Sequence, residues 1–199
     1  MNFKSYTETP EIYKNILLGE SVPHNSIDTK VFIDMDGVLC DLRKDVAQFI
    51  GGDPNGIYSP GDHDKFFEHY KDKIEDVFAS LSPFESGNYL VQLITDVAGK
   101  FFICTAPLKS NEEDSIKGKA LWMELNLIIP PEAIIYDREK FHYAQDFGKP
   151  NILIDDYELN IHQWEEAGGI GILYSANDQD LGVVVEGLEK ALERLKKFS

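Results

Sequence analysis

Cysteine is scarce in this sequence: Cys40 and Cys104 are the two in 199 residues. That count excludes a disulfide scaffold in a chain of this length, and reduced thiols in a cytoplasmic protein are the simpler expectation. Basic residues are scarce as well. Nineteen Lys and Arg face 35 Asp and Glu, a formal net charge of −16. Nucleic-acid binding needs clustered Lys and Arg, so no nucleic-acid partner is expected. The same charge repels an anionic substrate, so local cations have to overcome the overall field. No apolar run approaches membrane-spanning length, and MNFKSYTETPEIYK lacks the apolar core of a signal peptide, so no membrane partner is expected either. Repeats, low-complexity tracts and a second domain boundary are missing too. A second copy of the chain, as a homodimer, is left open.

What is present is ordinary in bulk. Hydrophobic residues make up 43% and charged residues 27%, as in soluble globular proteins, and the length suits one core with room for a lid. The informative stretch is Lys30 to Asp41, KVFIDMDGVLCD. Val31, Phe32 and Ile33 form a short apolar run that reads as a buried strand of a parallel sheet. Asp34 and Asp36 follow, and Gly37 permits a sharp turn. Residues two apart in extended chain point the same way, so the two carboxylates can converge. Such a pair repels unless a cation sits between them, and Mg2+ suits an oxygen-only site. One carboxylate that attacks and another that moves protons would make a phosphoryl-transfer site. A calcium loop also opens DxDG, but it needs further oxygen ligands where this chain has Val38, Leu39 and Cys40.

The rest of the chain alternates helix and strand. Residues 1–29 form an N-terminal extension in which Thr9-Pro10-Glu11 starts a helix carrying Ile12, Ile16 and Leu17 and ended by Gly19. Residues 42–84 read as a helical cap inserted after strand one. Leu42, Val46, Phe49 and Ile50 share one helical face, GGDPNGIYSPGD breaks the chain, and residues 63–81 read as a helix whose stripe runs from Phe66 to Leu81. The core is assigned to 30–41 and 85–199. A helix spans 89–97, strand 101–105 follows, then a polar loop 108–115 and helix 117–125. Strand 133–137 leads into a helix-like stretch 138–147, strand 151–155, helix 156–168, strand 169–174 and a C-terminal helix 181–198. The expected fold is α/β, a Rossmann-like parallel five-stranded sheet flanked by helices.

In open α/β sheets ligands bind outside the carboxyl ends of the strands. The ends here carry Asp34, Thr105, Asp137 with Lys140 just beyond, and Asp155-Asp156. A nucleophile, a proton shuttle, a hydroxyl donor, a cation and a metal acid thus fall on one edge. Lys149 also precedes the acidic pair, but six strand residues at about 3.3 Å each place it roughly 20 Å from Asp155, at the other edge, which favours Lys140. The five histidines show no spacing typical of zinc, and most of them read as surface residues. Trp122 and Trp164 read as core; Lys109 and Lys119 read as solvated lysines, with contact to the substrate as the alternative.

DMDGVLCD, the Thr ending strand two, the Lys and the acidic pair, in that order, resemble the motifs of the haloacid dehalogenase superfamily of phosphatases. The resemblance implies that Asp34 takes the phosphoryl group as an aspartyl-phosphate. It implies that Asp36 is general acid and then base, its backbone carbonyl also binding metal, and that Thr105 bonds a phosphoryl oxygen. Asp34, Asp36 and Asp156 would hold Mg2+, with Asp155 supporting directly or through water. FFICTAP, KGKALW, YDREK and NILIDD look further like the 5'(3')-deoxyribonucleotidase family, over about residues 31 to 160. That likeness implies a nucleoside monophosphate as the small-molecule ester, with Thr105, Ala106 and Lys140 at the phosphate and Phe49 and Phe78 stacking on the base. Ala106 stands where that family often has Ser, and sugar phosphates are the alternative substrates. Receiver-type phosphoacceptor modules use similar residues but place the acidic pair after strand one, the reverse of the order here.

Overall fold

Alternate residues of Val31–Ile33 (β1) face opposite layers, and both layers are apolar. Val31 and Ile33 join one buried cluster while Phe32 joins another with Phe102, Cys104, Leu153 and Trp164. A strand buried on both faces has no polar side, which is why its sequence reads as a continuous apolar run. The protein is described by a computed structural model covering residues 25–52, 59–178 and 180–198; the extension helix expected around Thr9 to Gly19 lies outside them. The other sheet strands are Phe102–Thr105 (β2), Ala133–Tyr136 (β3), Ile152–Asp155 (β4) and Ile170–Leu173 (β5). All pairings are parallel, in the order β3-β2-β1-β4-β5. The α/β fold with a five-stranded parallel sheet is therefore the observed one.

Seven α-helices accompany the sheet among the described residues: Leu42–Phe49 (α1), Pro60–His69 (α2), Ile74–Ser80 (α3), Glu85–Ala98 (α4), Glu112–Asn126 (α5), Glu158–Glu166 (α6) and Gly182–Leu195 (α7). Three local expectations are corrected. The single helix expected over 63–81 is broken by a 3-10 turn, Lys71–Lys73. Four polar or aromatic residues, Tyr70 to Lys73, give that segment no apolar stripe to keep it on one axis. The turn lets α3 set off anew, burying Ile74 and Phe78. The polar loop after β2 is shorter than expected, because Asn111 accepts the Asp114 N–H and starts α5 inside it. The helix-like stretch 138–147 is a 3-10 turn, Lys140–Tyr143, followed by a two-residue antiparallel ribbon, Gln145–Asp146 with Lys149–Pro150. Phe147 and Gly148 both have positive φ and form the ribbon's turn.

Residues 42–81 leave and return through one neck. Asp41 N–H donates to Ser82 O and Phe84 N–H to Leu39 O, both at 2.9 Å. Beyond the neck, α3 lies directly on α5. Gly118 makes this possible: a Cβ there would stand 2.4 Å from Glu75 O and 2.8 Å from Phe78 Cβ. Trp122, 1% exposed, donates its indole N–H to Leu81 O at 2.7 Å from the same helix face. The stripe Phe66, Phe67, Ile74, Phe78 and Leu81 consequently joins the apolar cluster beneath the sheet instead of forming a core of its own. No helix among the described residues is long and apolar enough to cross a membrane.

Candidate active site

The strand register decides which side chains meet. Ile33 is level with Ile103 and Ile154, so Asp34 and Asp155, one residue past the level, and Thr105, two past Ile103 at the end of β2, emerge on one edge. Asp34 N–H donates to Ile154 O at 2.9 Å, extending the β1–β4 ladder by one residue and fixing where its carboxylate starts. After Asp34 the chain folds back on itself: Met35 O accepts the N–H groups of Leu39 and Cys40 at 2.8 and 3.1 Å. Gly37 has φ of +80°, and a Cβ on it would stand 2.0 Å from Asp156 Oδ2. The turn after β1 thus closes onto the acid after β4, and only a residue without a side chain allows it.

Four carboxylates and two lysines converge there. Lys140 Nζ stands 2.7 Å from Asp34 Oδ1 and 2.6 Å from Asp155 Oδ2, and Lys140 is 2% exposed. Burial alone would pull the Lys140 ammonium down, but the Asp34 and Asp155 carboxylates outweigh it and hold the lysine above its ordinary value. Lys119 Nζ pairs with Asp36 Oδ2 and donates to Thr105 Oγ1 at 2.8 Å. Lys119 and Thr105 are both fully buried. Asp34, Asp155 and Asp156 bring carboxylate oxygens within 4.8 Å of one another.

The four acids are not equivalent. Asp155, 0% exposed, has both oxygens occupied by protein donors: Lys140, the Tyr157 N–H at 2.9 Å and the Asn160 amide at 3.1 Å. It is a fixed counter-charge that seats Lys140. Asp156 has no ion-pair partner among the described residues; burial, then the charges of Asp34 and Asp155, push its carboxyl up to about 8. Burial pushes Asp34 up to about 6, with Lys140 pulling the other way. With all four carboxyls ionised, the two ammonium groups leave two negative charges, which one divalent cation would balance. An oxygen-only donor set with an uncompensated acid fits Mg2+, and Asp156 together with the Asp34 oxygen not paired with Lys140 would hold it.

Other expected residues lie elsewhere. Ala106 is exposed, directly after Thr105. Lys149 pairs with Asp28 at 2.8 Å, on the far side of the sheet from the acids. Phe78 is 2% exposed with its ring stacked on Phe67 at 5.6 Å, so it has no open face for a base and its expected stacking role is withdrawn. Phe49 sits among Phe66, His69 and Tyr70 in a cleft between α1 and α3 that none of the site residues lines. The expectation of a solvated Lys119 is also overturned. On α5 it falls with Ser115, Trp122 and Met123 on the buried face, and that spacing was the available signal. Asn160 carried no signal of its own. His63, read as a surface residue, lines a cavity of about 710 Å3 between α2 and the loop after β2, together with Phe67, Leu108, Lys109 and Asn111.

No protein-family model matches the sequence, and neither does any curated protein. Solved structures with a similar chain course include a haloacid dehalogenase-like hydrolase from Streptococcus pneumoniae. It is 16% identical, with a TM-score of 0.47 and coverage of 87% of this chain and 99% of that one. A putative beta-phosphoglucomutase from Thermotoga maritima is 15% identical, with a TM-score of 0.43 and coverage of 85% and 99%. A haloacid dehalogenase family hydrolase from Deinococcus radiodurans, with bound phosphate and sodium, is 13% identical, with a TM-score of 0.42 and coverage of 84% and 98%. Likeness at this level does not extend to activity.

Proposed function

We propose that this chain is a Mg2+-dependent phosphomonoesterase that passes the phosphoryl group through Asp34. The observation that carries the reading is the acid cluster itself: a carboxylate nucleophile and an uncompensated acid, Asp156, beside a buried lysine at one sheet edge. Asp34, pushed up to about 6 by burial, is still mostly ionised at pH 7 and can attack. Thr105 Oγ1 accepts from Lys119, which leaves its own hydroxyl hydrogen to donate to a phosphoryl oxygen. Lys140 adds a positive charge at the same place. Asp34 and Asp156, with the Asp36 carbonyl, would hold Mg2+, which would neutralise charge for an approaching anion in a chain of net charge −16.

In the first half-reaction an Asp34 oxygen forms a bond to phosphorus while the ester P–O bond breaks. Asp36 gives its proton to the departing oxygen. In the second half Asp36 takes a proton from water as the water oxygen bonds phosphorus and the Asp34–phosphorus bond breaks. Residues 42–84 act as a cap, and the cavity between α2 and the loop after β2, whose His63 lies close enough to feel the Asp36 charge, receives the leaving group. A nucleoside monophosphate is the finer substrate reading. The burial of Phe78 and the polar side chains of Lys109, Ser110 and Asn111 on one wall of the cavity favour a second one, a sugar phosphate or similar hydroxylated ester. The buried, free thiols suit a cytoplasmic setting. The test is phosphate release from a panel of nucleotides and sugar phosphates. Release that needs Mg2+ and vanishes in Asp34→Asn is expected, and a fully active Asp34→Asn rules out the covalent route.

A further inference from the structure

We propose that Lys119 is a positioning residue that holds Asp36 and Thr105 in place, and that the inserted helix α3 holds Lys119 through the Phe78 ring. This rests on the phosphomonoesterase reading and adds to it a residue that never touches the substrate. A fully buried ammonium is tolerable only when its hydrogens find partners. Lys119 reaches Asp36 Oδ2 and Thr105 Oγ1, and its Nζ stands 5.0 Å from the centroid of the Phe78 ring. A cation over an aromatic face in a desolvated site is held there by the ring quadrupole.

The two oxygens of Asp36 are therefore unequal. Oδ2 belongs to Lys119, while among the described residues Oδ1 has the Cys40 thiol at 3.6 Å, a long, weak contact. Oδ1 is the oxygen left to exchange a proton with the ester, and Lys119 sets the direction in which it faces. The support runs back into the insertion. Phe78 rests on Phe67 of α2, and Gly118, the neighbour of Lys119, is where α3 meets α5. The insertion thus reaches the acid–base group from behind, through one aromatic ring and one lysine.

A mispositioned general acid matters only when the leaving oxygen needs its proton. The test compares kcat/KM for an alkyl phosphate, glycerol phosphate, with that for p-nitrophenyl phosphate, whose leaving group departs unprotonated. Full-length Lys119→Met is expected to lose about 100-fold or more on the alkyl ester and about tenfold or less on the aryl ester, since acid catalysis contributes at least that difference. Phe78→Leu is expected to show the same asymmetry at about fivefold, and it carries the test if Lys119→Met fails to fold. Methylammonium should restore part of the alkyl-ester activity of Lys119→Ala. Equal losses on both esters, or none, overturn the positioning role while leaving the phosphomonoesterase reading standing. No phosphate release from either ester by the unaltered chain overturns both.

Discussion

Replacing Asp156 by asparagine should make the metal-free protein more stable while destroying its response to Mg2+. The Asp156 carboxyl is raised from 3.8 to about 8, chiefly by burial and then by Asp34 and Asp155. An acid raised on folding holds its proton more tightly in the folded state. The stability this carries is present in full below about pH 4 and is lost as pH rises, through about 6 for Asp34 and about 8 for Asp156. Roughly four pH units at about 1.4 kcal/mol each set an upper bound near 6 kcal/mol. Asp156 is partly exposed, and screening by water reduces this to about 2–3 kcal/mol. For a chain of this size that is about 5–10 °C in Tm. Thermal unfolding of the metal-free chain should therefore move to lower temperature from pH 5 to pH 8, and Asp156→Asn should recover about 5–10 °C at pH 8. Mg2+ at 100 times its Kd should add about 3 kcal/mol to the unaltered protein at pH 8, much less at pH 5, and nothing to the variant. An Asp156→Asn protein no more stable than its parent at pH 8, or still stabilised by Mg2+, would refute the picture of an acid whose charged form is disfavoured by its surroundings until a cation arrives.

Lys140→Met strands Asp34 and Asp155 together in a buried site. It should cost about 3–5 kcal/mol in urea unfolding at pH 7, less at pH 5 where the carboxylates take protons, and it should abolish phosphate release. Gly118→Ala forces a methyl against Glu75 O and should cost about 1–3 kcal/mol, read as a fall in Tm, with the α3–α5 contact as the cause. Both thiols are buried, and burial pushes Cys104 up to about 12. Iodoacetamide should therefore label neither in the native protein at pH 8 and both in urea, and native labelling of either at the free-thiol rate would contradict the packing.

The sheet was legible because its strands carry their own signal. Runs such as Phe102 to Thr105 and Ile152 to Asp155 are apolar on both faces, which few other elements require. Asp34, Thr105 and Asp155 follow from strand ends and the parallel rule alone. Lys119 was not legible in composition, because a lysine on a helix is usually solvated. Its periodicity with Ser115 and Trp122 pointed inward, and a charged residue on an apolar stripe should have been read as paired. The break at Lys71–Lys73 and the turn at Phe147–Gly148 depend on what the flanking segments pack against, which no local propensity encodes. Phe78 was expected to face a ligand because the likeness to the deoxyribonucleotidase family implies cap aromatics that stack on a base. Here the close seat at Gly118 took that ring inside.

The strand order has a consequence for how the protein would fail. Asp34, Thr105, Asp155 and Asp156 ride on or directly after the three central strands, whereas Lys140 arrives from the loop after β3, the partly exposed margin of the sheet. Marginal strands fray at lower free energy than interior ones. Gentle warming should loosen β3 first, so hydrogen exchange there should quicken while the interior strands stay protected. Turnover would then disappear in a molecule whose acids have not yet moved, because the cation that lets them sit together has slipped away.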